Sequence, residues 1–236
     1  TKVFAVPAEA SAAQLTAYRD AWKVRGIEIV AMQALLFGRP ELTVFGAPQV
    51  RDATLRHLAA MARIGGQLGA HTLVFGSPRN RSVAGLPLSE VAPRAIEFFR
   101  AAGQAAAPHG VALCIEPVPR AFGGDFVLSA REALALVRDV DHPGFGLHLD
   151  AAALTSGDEP PAAAVERCAP AIRHFHASEP GLVLLGEGGV DHRQLGRCLR
   201  AIGYRGTVSV EMLHDPARDP LEGLRRALGV LLDCYG

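Results

Sequence analysis

Short β-rich apolar segments alternate with longer segments of helical periodicity, and this alternation constrains the fold of the chain more than any other feature. We predict strands at residues 27–32, 72–75, 111–115, 146–149, 172–175 and 207–210. Apolar residues at helical spacing predict helices at residues 51–68, 88–107, 130–140, 162–168, 192–202 and 220–232. Gly69, Gly110 and Gly203 each follow a helical segment, as a left-handed cap requires. Repeated strand–helix units of this kind form parallel sheets.

The number of strands bears on which parallel fold the chain adopts. A closed α/β barrel has eight strands, whereas the pattern gives six, with residues 2–6 as a candidate seventh. We therefore predict an α/β fold of the (β/α)8 TIM-barrel type that lacks its first one or two strands in this sequence. An open doubly wound sheet is the alternative. Because the sequence begins with neither methionine nor a signal peptide, we expect that the beginning of the natural chain is absent.

Length and composition indicate a compact protein with a small partner. The 236 residues are 49% hydrophobic, which predicts a single domain over residues 1–236. Twenty-four basic residues balance twenty-four acidic ones, so the chain lacks the positive charge that nucleic acid attracts. No apolar run approaches the roughly 18 residues of a membrane span. We expect a small-molecule ligand, no nucleic acid and no membrane.

Cysteine usage indicates the cellular compartment. Cys114, Cys168, Cys198 and Cys234 are widely spaced and form no C-x-x-C pair. This spacing argues against a zinc knuckle, a dithiol redox site and a disulfide framework. We therefore expect a cytoplasmic protein.

Four predicted strands in succession are followed by a side chain that can bind a metal ion: Glu116, Asp150, His176 and Glu211. In a parallel barrel the carboxyl ends of the strands meet at the active-site face. Three carboxylates gathered there would repel one another, and a divalent cation removes that penalty. Oxygen ligands with one imidazole suit Mn²⁺, Mg²⁺, Co²⁺ or Zn²⁺. We predict one divalent metal ion, against the alternative that these are ordinary polar groups at strand ends.

Four motifs surround these residues: Ile115-Glu116-Pro117, Gly146-Leu147-His148-Leu149-Asp150, His174-Phe175-His176-Ala177-Ser178-Glu179-Pro180 and the segment from Gly203-Tyr204 to Glu211-Met212. Together they resemble the sugar phosphate isomerase/epimerase family of xylose isomerase-like TIM barrels, over nearly the whole chain. The resemblance implies that Glu116, Asp150, His176 and Glu211 bind the metal on the last four strands. It also implies that Thr1 lies just beyond the second strand, and that the protein forms a homodimer or homotetramer.

The same resemblance implies that the two glutamates are catalytic, with Glu116 and Glu211 exchanging the roles of base and acid. We predict a metal-dependent isomerase or epimerase of a sugar, sugar phosphate or cyclic polyol ketone that acts through an enediolate. Ketohexose 3-epimerases of this family place a glutamate, a histidine and an arginine against the sugar hydroxyls. The corresponding positions here are Phe122, Ala153 and Leu182, which argues against a ketohexose.

Further polar or aromatic side chains near strand ends are candidates for substrate binding: Gln33, Arg79, Arg81, Phe122, His148 and Glu179. Arg79 and Arg81 would hold a carboxylate or phosphate, or else are solvated loop residues. Glu179 would orient the His176 imidazole or bind substrate. We expect His174 to be buried below the metal, and residues 185–189 to form a flexible active-site loop.

Three other functions remain open at this stage. A metal-dependent dehydratase or lyase acting on a cyclic polyol would use the same ligands. An endonuclease IV-like DNA repair enzyme would use the same barrel, but zero net charge argues against it. A non-catalytic carbohydrate-binding barrel is the third alternative, because a fold alone does not determine function.

Overall fold

The computed structural model describes residues 3–4 and 6–236. Its strands are β1 (Ala31–Met32), β2 (Thr72–Phe75), β3 (Ala112–Ile115), β4 (Phe145–Asp150), β5 (Ile172–Ser178) and β6 (Val208–Glu211). Its α-helices are α1 (Ala12–Lys23), α2 (Pro48–Leu68), α3 (Leu88–Ala106), α4 (Ala130–Val140), α5 (Ala151–Thr155), α6 (Pro161–Cys168), α7 (His192–Ala201) and α8 (Pro220–Tyr235). The predicted alternation of strands and helices is confirmed.

Most predicted elements agree with the structure to within three residues at each end. Three differences concern the amino-terminal half. The strand predicted over residues 27–32 is limited to β1. In the candidate seventh strand, Lys2 and Ala5 lie outside the described residues, and Val3, Phe4 and Val6 are not in a strand. Sequence reasoning also missed α1.

A capping box at the start of α1 explains why that segment is helical. The Oγ atom of Ser11 accepts a hydrogen bond from the Gln14 amide at 3.2 Å. The Oε1 atom of Gln14 accepts one from the Ser11 amide at 2.9 Å. This reciprocal pairing satisfies backbone donors that the first turn of a helix leaves unpaired. The Ser-x-x-Gln spacing in the sequence could therefore have predicted this helix.

The chain consists of two compact units. The first comprises Thr1–Ile115, Gly124–Phe126 and Leu136–Gly146, and the second comprises Glu116–Gly123, Val127–Ala135 and Leu147–Gly236. The single domain predicted over the whole chain stays a prediction.

In the first unit, β1, β2 and β3 are parallel neighbours. Thr72 of β2 is opposite both Ala31 of β1 and Ala112 of β3. Every residue of β2 and β3 is buried, as in parallel strands that are covered on both faces. Aromatic rings fill the core of this unit, because Phe99 contacts Phe75 at 5.6 Å and stacks on Phe145 at 5.0 Å between ring centroids.

In the second unit, residues 147–150 of β4 pair in parallel with β5, and β5 pairs in parallel with β6. Ala177, Leu184, Leu185 and Ala227 form a buried cluster of this unit. Helices α7 and α8 approach closely because Gly196 has no side chain, and a Cβ atom there would overlap the carbonyl oxygen of Cys234.

The four cysteines are free thiols. None of the helices among the described residues is long and apolar enough to cross a membrane. The predicted caps Gly69, Gly110 and Gly203 all have positive φ angles, of 95°, 71° and 69°, so the helix ends were read correctly.

Candidate metal centre

The four predicted metal ligands come together in the second unit. One ligand atom from each of Glu116, Asp150, His176 and Glu211 lies within 4.8 Å of the others. Glu116 directly follows β3, Asp150 ends β4, His176 lies in β5 and Glu211 ends β6. Their sequence separations range up to 95 residues, so the strand pairing and not the local sequence brings them together.

The register of the parallel strands determines which side chains meet. Asp150 of β4 is opposite His176 of β5, and Ser178 of β5 is opposite Glu211 of β6. Side chains alternate between the two faces of a strand, so His176 and Ser178 project from the same face. That alternation places a hydroxyl group beside the carboxylates.

Hydrogen bonds hold the Asp150 carboxylate in place. Its Oδ1 atom accepts from the Ala153 amide at 2.8 Å, which also caps the amino terminus of α5. Its Oδ2 atom accepts from the Ser178 hydroxyl, and the Ser178 Oγ atom accepts from the Ala152 amide at 3.1 Å. Burial raises the pKa of Asp150 above its ordinary value, against the lowering effect of the Ser178 and Ala153 hydrogen bonds. A nearby cation would offset the cost of burying this charge.

His176 and Glu211 also fit a shared ion. The Nδ1 atom of His176 lies 3.0 Å from the Oε2 atom of Glu211. Two donors of an octahedral site that each lie about 2.1 Å from one ion, at right angles, are about 3.0 Å apart. The His176 side chain is 5% exposed and that of Glu211 is 26% exposed. The pair is therefore buried on the histidine side and accessible on the glutamate side.

Two further histidines contact His176 of this group. His148 and His174 are 0% and 1% exposed, and their rings stack with centroids 5.5 Å apart. His148 also contacts the ring of His176 edge-on at 4.1 Å. An irregularity in the β4–β5 pairing between Leu147 and His148 aligns His148 with His174. The expectation that His174 is buried agrees with the structure.

Glu179 has partners that sequence reasoning did not predict. Its carboxylate is fully buried, and its Oε1 atom accepts hydrogen bonds from the Gly186 amide at 2.8 Å and from His192 Nε2 at 3.0 Å. Its Oε2 atom accepts from the Val190 amide at 3.1 Å. The expected partner, the His176 imidazole, instead contacts Glu211. Glu179 thus holds the segment between β5 and α7 at Gly186 and at Val190.

This buried network continues to the last helix. The Nδ1 atom of His192 lies 2.8 Å from the Tyr235 hydroxyl, and burial raises the pKa of Tyr235 well above its ordinary value. No sequence signal indicated the link between Glu179, His192 and Tyr235, because the three residues lie in separate segments. The contacts join the start of α7 to the end of α8.

The segment predicted to be a flexible active-site loop, residues 185–189, is held on both sides. Leu185 is 2% exposed, and the amide of Gly186 is bound by Glu179. On the outside, the Glu187 carboxylate accepts hydrogen bonds from Arg218 at 2.8 and 2.9 Å and from Arg226 at 2.8 Å. The glycines of this segment therefore allow the backbone to turn tightly and to pass close to neighbouring side chains. Gly188 leaves no room for a Cβ atom beside Glu179.

The other predicted substrate-binding residues are distributed over both units. Gln33, Arg79 and Arg81 belong to the first unit. Arg79 is exposed, but Arg81 is 1% exposed, so the alternative of a solvated loop arginine is wrong for Arg81. Phe122 belongs to the second unit and is 40% exposed, in a short 3-10 helix. Their roles in substrate binding, like that of His148, stay predictions.

Sequence reasoning missed Ser178 as a member of the site. It lies two residues after His176 in β5, and the alternation of side chains along a strand was a signal that could have found it.

Parallel βα units with metal-ligand side chains at strand ends define a class, the α/β barrel proteins with a site at the carboxyl ends of the strands. Residues 3–234 match the family model described as xylose isomerase-like TIM barrel. The chain belongs to this family. The predicted fold class and the predicted family are thereby confirmed.

Sequence similarity to curated relatives extends over about half of this chain. D-psicose 3-epimerase of Ruminiclostridium cellulolyticum is 27% identical over 118 residues, which are 50% of this chain and 40% of that protein. The D-psicose 3-epimerase of Agrobacterium fabrum is 29% identical over 118 residues, with the same coverage. Ketose 3-epimerase of Arthrobacter globiformis is 29% identical over 121 residues, which are 51% of this chain and 41% of that protein. The matches thus span well under two thirds of these relatives.

Solved structures agree in fold over nearly the whole chain. A D-psicose 3-epimerase crystallised in the presence of D-fructose has a TM-score of 0.83 at 21% identity, covering 98% of this chain and 86% of that chain. The 3-keto-D-glucoside 4-epimerase YcjR from E. coli has a TM-score of 0.80 at 18% identity, covering 94% of this chain and 86% of that chain. At these identities the likeness shows the fold alone.

Proposed function

We propose that this chain is a divalent-metal-dependent isomerase or epimerase of a sugar-like hydroxyketone. The observation that carries the proposal is the convergence of Glu116, Asp150, His176 and Glu211 within 4.8 Å. Membership of the xylose isomerase-like family and the epimerase names of the curated relatives support it. Three carboxylates around one imidazole are also the chemistry that Mn²⁺, Mg²⁺, Co²⁺ or Zn²⁺ would satisfy.

In the proposed mechanism each residue has a defined task. A bound divalent ion supplies Lewis acidity that polarises the substrate carbonyl. One of Glu116 and Glu211 removes the proton from the carbon next to that carbonyl, which leaves an enediolate, and the other returns a proton to it. Return from the opposite face inverts the stereocentre. Asp150 keeps its orientation through Ser178 and the Ala153 amide, and His176 contacts Glu211 from the buried side.

The substrate class is proposed to be a keto sugar or an inosose. The relatives carry the names psicose, ketose and 3-keto-glucoside epimerase. The side chains of Phe122, Ala153 and Leu182 offer no hydrogen-bonding group at the positions that the family resemblance aligns with the sugar-binding residues of ketohexose 3-epimerases. We therefore expect a substrate with fewer hydroxyl contacts than a free ketohexose makes.

Solvent-proton exchange, followed by NMR in D₂O, tests this function. The metal-loaded protein is incubated with D-psicose, D-fructose, D-tagatose, L-ribulose, 3-keto-glucosides, inososes and their phosphates. We expect metal-dependent deuterium uptake at the carbon next to the carbonyl of one compound class. A dehydratase or lyase would be recognised in the same spectra by the loss of a hydroxyl group.

Controls separate the proposed site from general effects. Protein treated with a chelator should show no uptake, and uptake should return when the ion is restored. The Glu222→Gln variant is a matched control for the substitution of Glu116 or Glu211 by glutamine, because Glu222 is an exposed residue of α8. Exchange that persists without a metal ion would refute the proposal. So would the absence of exchange for every compound of the panel when each of the four ions is supplied in turn.

A cytoplasmic location is proposed on the basis of the four free cysteines. Assembly as a homodimer or homotetramer stays a prediction from the family resemblance.

A further inference from the structure

His148 is a buried polar side chain with a distinctive environment. It is 0% exposed, and its ring lies against the backbone of His174 but makes no hydrogen bond of good geometry among the described residues. His192, which is also buried, uses both of its nitrogens in hydrogen bonds. A buried polar group without a hydrogen bond is unfavourable, so such a group calls for an explanation.

The surroundings of His148 supply two more donors. Its Nε2 atom lies 4.0 Å from Oε1 of the partly exposed Glu116. Two ligands of a tetrahedral zinc ion are about 3.4 Å apart, so a rotation of the Glu116 side chain would bring the two donors to one ion. Its ring centroid lies 4.1 Å from that of His176. One ligand atom from each of Glu116, His148 and His176 lies within 4.8 Å of the other two.

We propose that Glu116, His148 and His176 form a second, nitrogen-rich ligand set that binds Zn²⁺ or a similar borderline cation. This set shares Glu116 and His176 with the oxygen-rich set that also includes Asp150 and Glu211, so a single ion occupies one set or the other. Imidazole favours zinc and copper, whereas carboxylate favours magnesium and manganese. The place at which a cation binds therefore depends on whether it prefers imidazole or carboxylate ligands.

Cation binding to purified, metal-free protein tests this proposal without reference to any enzymatic activity. The dissociation constant of Zn²⁺ is measured by competition with a chromophoric chelator, and that of Mn²⁺ by the EPR signal of the free ion. His148→Leu is expected to weaken Zn²⁺ binding at least about tenfold and to change Mn²⁺ binding less than about twofold. Asp150→Asn is expected to weaken Mn²⁺ more than Zn²⁺.

His174→Leu is the matched control, because His174 is equally buried and belongs to neither ligand set. It should leave the ratio of the two dissociation constants unchanged. Equal Zn²⁺ affinity in the wild type and His148→Leu would overturn the proposal, as would an equal loss for both ions. Failure of the epimerase function would leave these results intact.

A measurement on the wild-type protein covers the case in which His148→Leu does not fold. Pulsed EPR of bound Cu²⁺ counts the coordinated imidazoles. Two imidazoles are expected, from His148 and His176. A single coordinated imidazole would contradict the nitrogen-rich set.

Discussion

The Nδ1 atom of His176 and the Oε2 atom of Glu211 are 3.0 Å apart, on two paired parallel strands. The two residues are 35 positions apart in the sequence, and the pairing of β5 with β6, in which Glu211 is opposite Ser178, brings them close. The contact joins a buried imidazole to a partly exposed carboxylate. A substrate carbonyl would approach such a pair from the glutamate side.

Substitution of Ser178 should weaken metal binding without unfolding the protein. The Ser178 hydroxyl donates to Asp150 and its oxygen accepts from the Ala152 amide. Groups that orient a metal ligand typically contribute 10- to 100-fold to metal affinity. We expect Ser178→Ala to raise the dissociation constant of Mn²⁺ about tenfold in a titration. The exposed Ser89→Ala serves as control, and unchanged affinity in Ser178→Ala would remove Ser178 from the site.

Replacement of Glu179 should affect stability more than substrate affinity. The carboxylate is fully buried and accepts three hydrogen bonds. A glutamine would set an amide donor against some of these donors, at a cost of about 1–3 kcal/mol. Urea unfolding of Glu179→Gln should show a loss of this size. The matched Glu187→Gln removes the partly exposed ion pairs with Arg218 and Arg226, and it should cost less than about 1 kcal/mol.

A different result would restore the expectation made from the sequence. If Glu179→Gln keeps wild-type stability and raises the KM for the substrate, the carboxylate binds substrate in the working enzyme. The structure instead indicates that it anchors the segment between β5 and α7.

The stability of the metal-free protein should fall as the pH decreases below 6.5, in part because of His148. Its folded-state pKa is lowered by burial, so the unfolded chain binds a proton that the folded chain excludes. The stabilisation is present above the unfolded pKa of about 6.5 and is lost as the pH falls towards the folded value. The slope from one proton is at most about 1.4 kcal/mol per pH unit.

The measurement compares the wild type with His148→Leu in urea titrations between pH 5 and 8, in the presence of a chelator. The free energy of unfolding of the variant should depend less on pH below 6.5. Parallel curves for the two proteins would contradict the burial of a neutral His148.

The sequence was sufficient for much of the fold because its pattern is locally consistent. Segments such as β2 and β3 are short, apolar and buried on both faces, and glycines with positive φ mark the ends of the helices before them. The structure of the amino-terminal region was harder to predict from the sequence. The β1 segment is only two residues long and half-buried, and α1 buries a single residue, Leu15, so neither gives a strong hydrophobic period.

The candidate site divides in the same way. The four ligands were found because each directly follows a predicted strand, a position that the sequence reveals. The partners of Glu179 were not found, since His192 and Tyr235 reach it from separate helices through tertiary packing. Register is equally hidden, and the alignment of His148 with His174 depends on an irregularity in strand pairing.

The most direct test of the central claim follows exchange and epimerisation together in the Glu116→Gln and Glu211→Gln variants. Each variant, once its bound metal is confirmed by elemental analysis, is incubated in D₂O with each of two substrate epimers. Both variants should fail to interconvert the epimers, since one proton carrier is missing. Each should still exchange the proton of one epimer, a different one in each case, because the remaining glutamate serves one face. Full epimerisation by either metal-loaded variant would contradict the account of two glutamates acting on opposite faces.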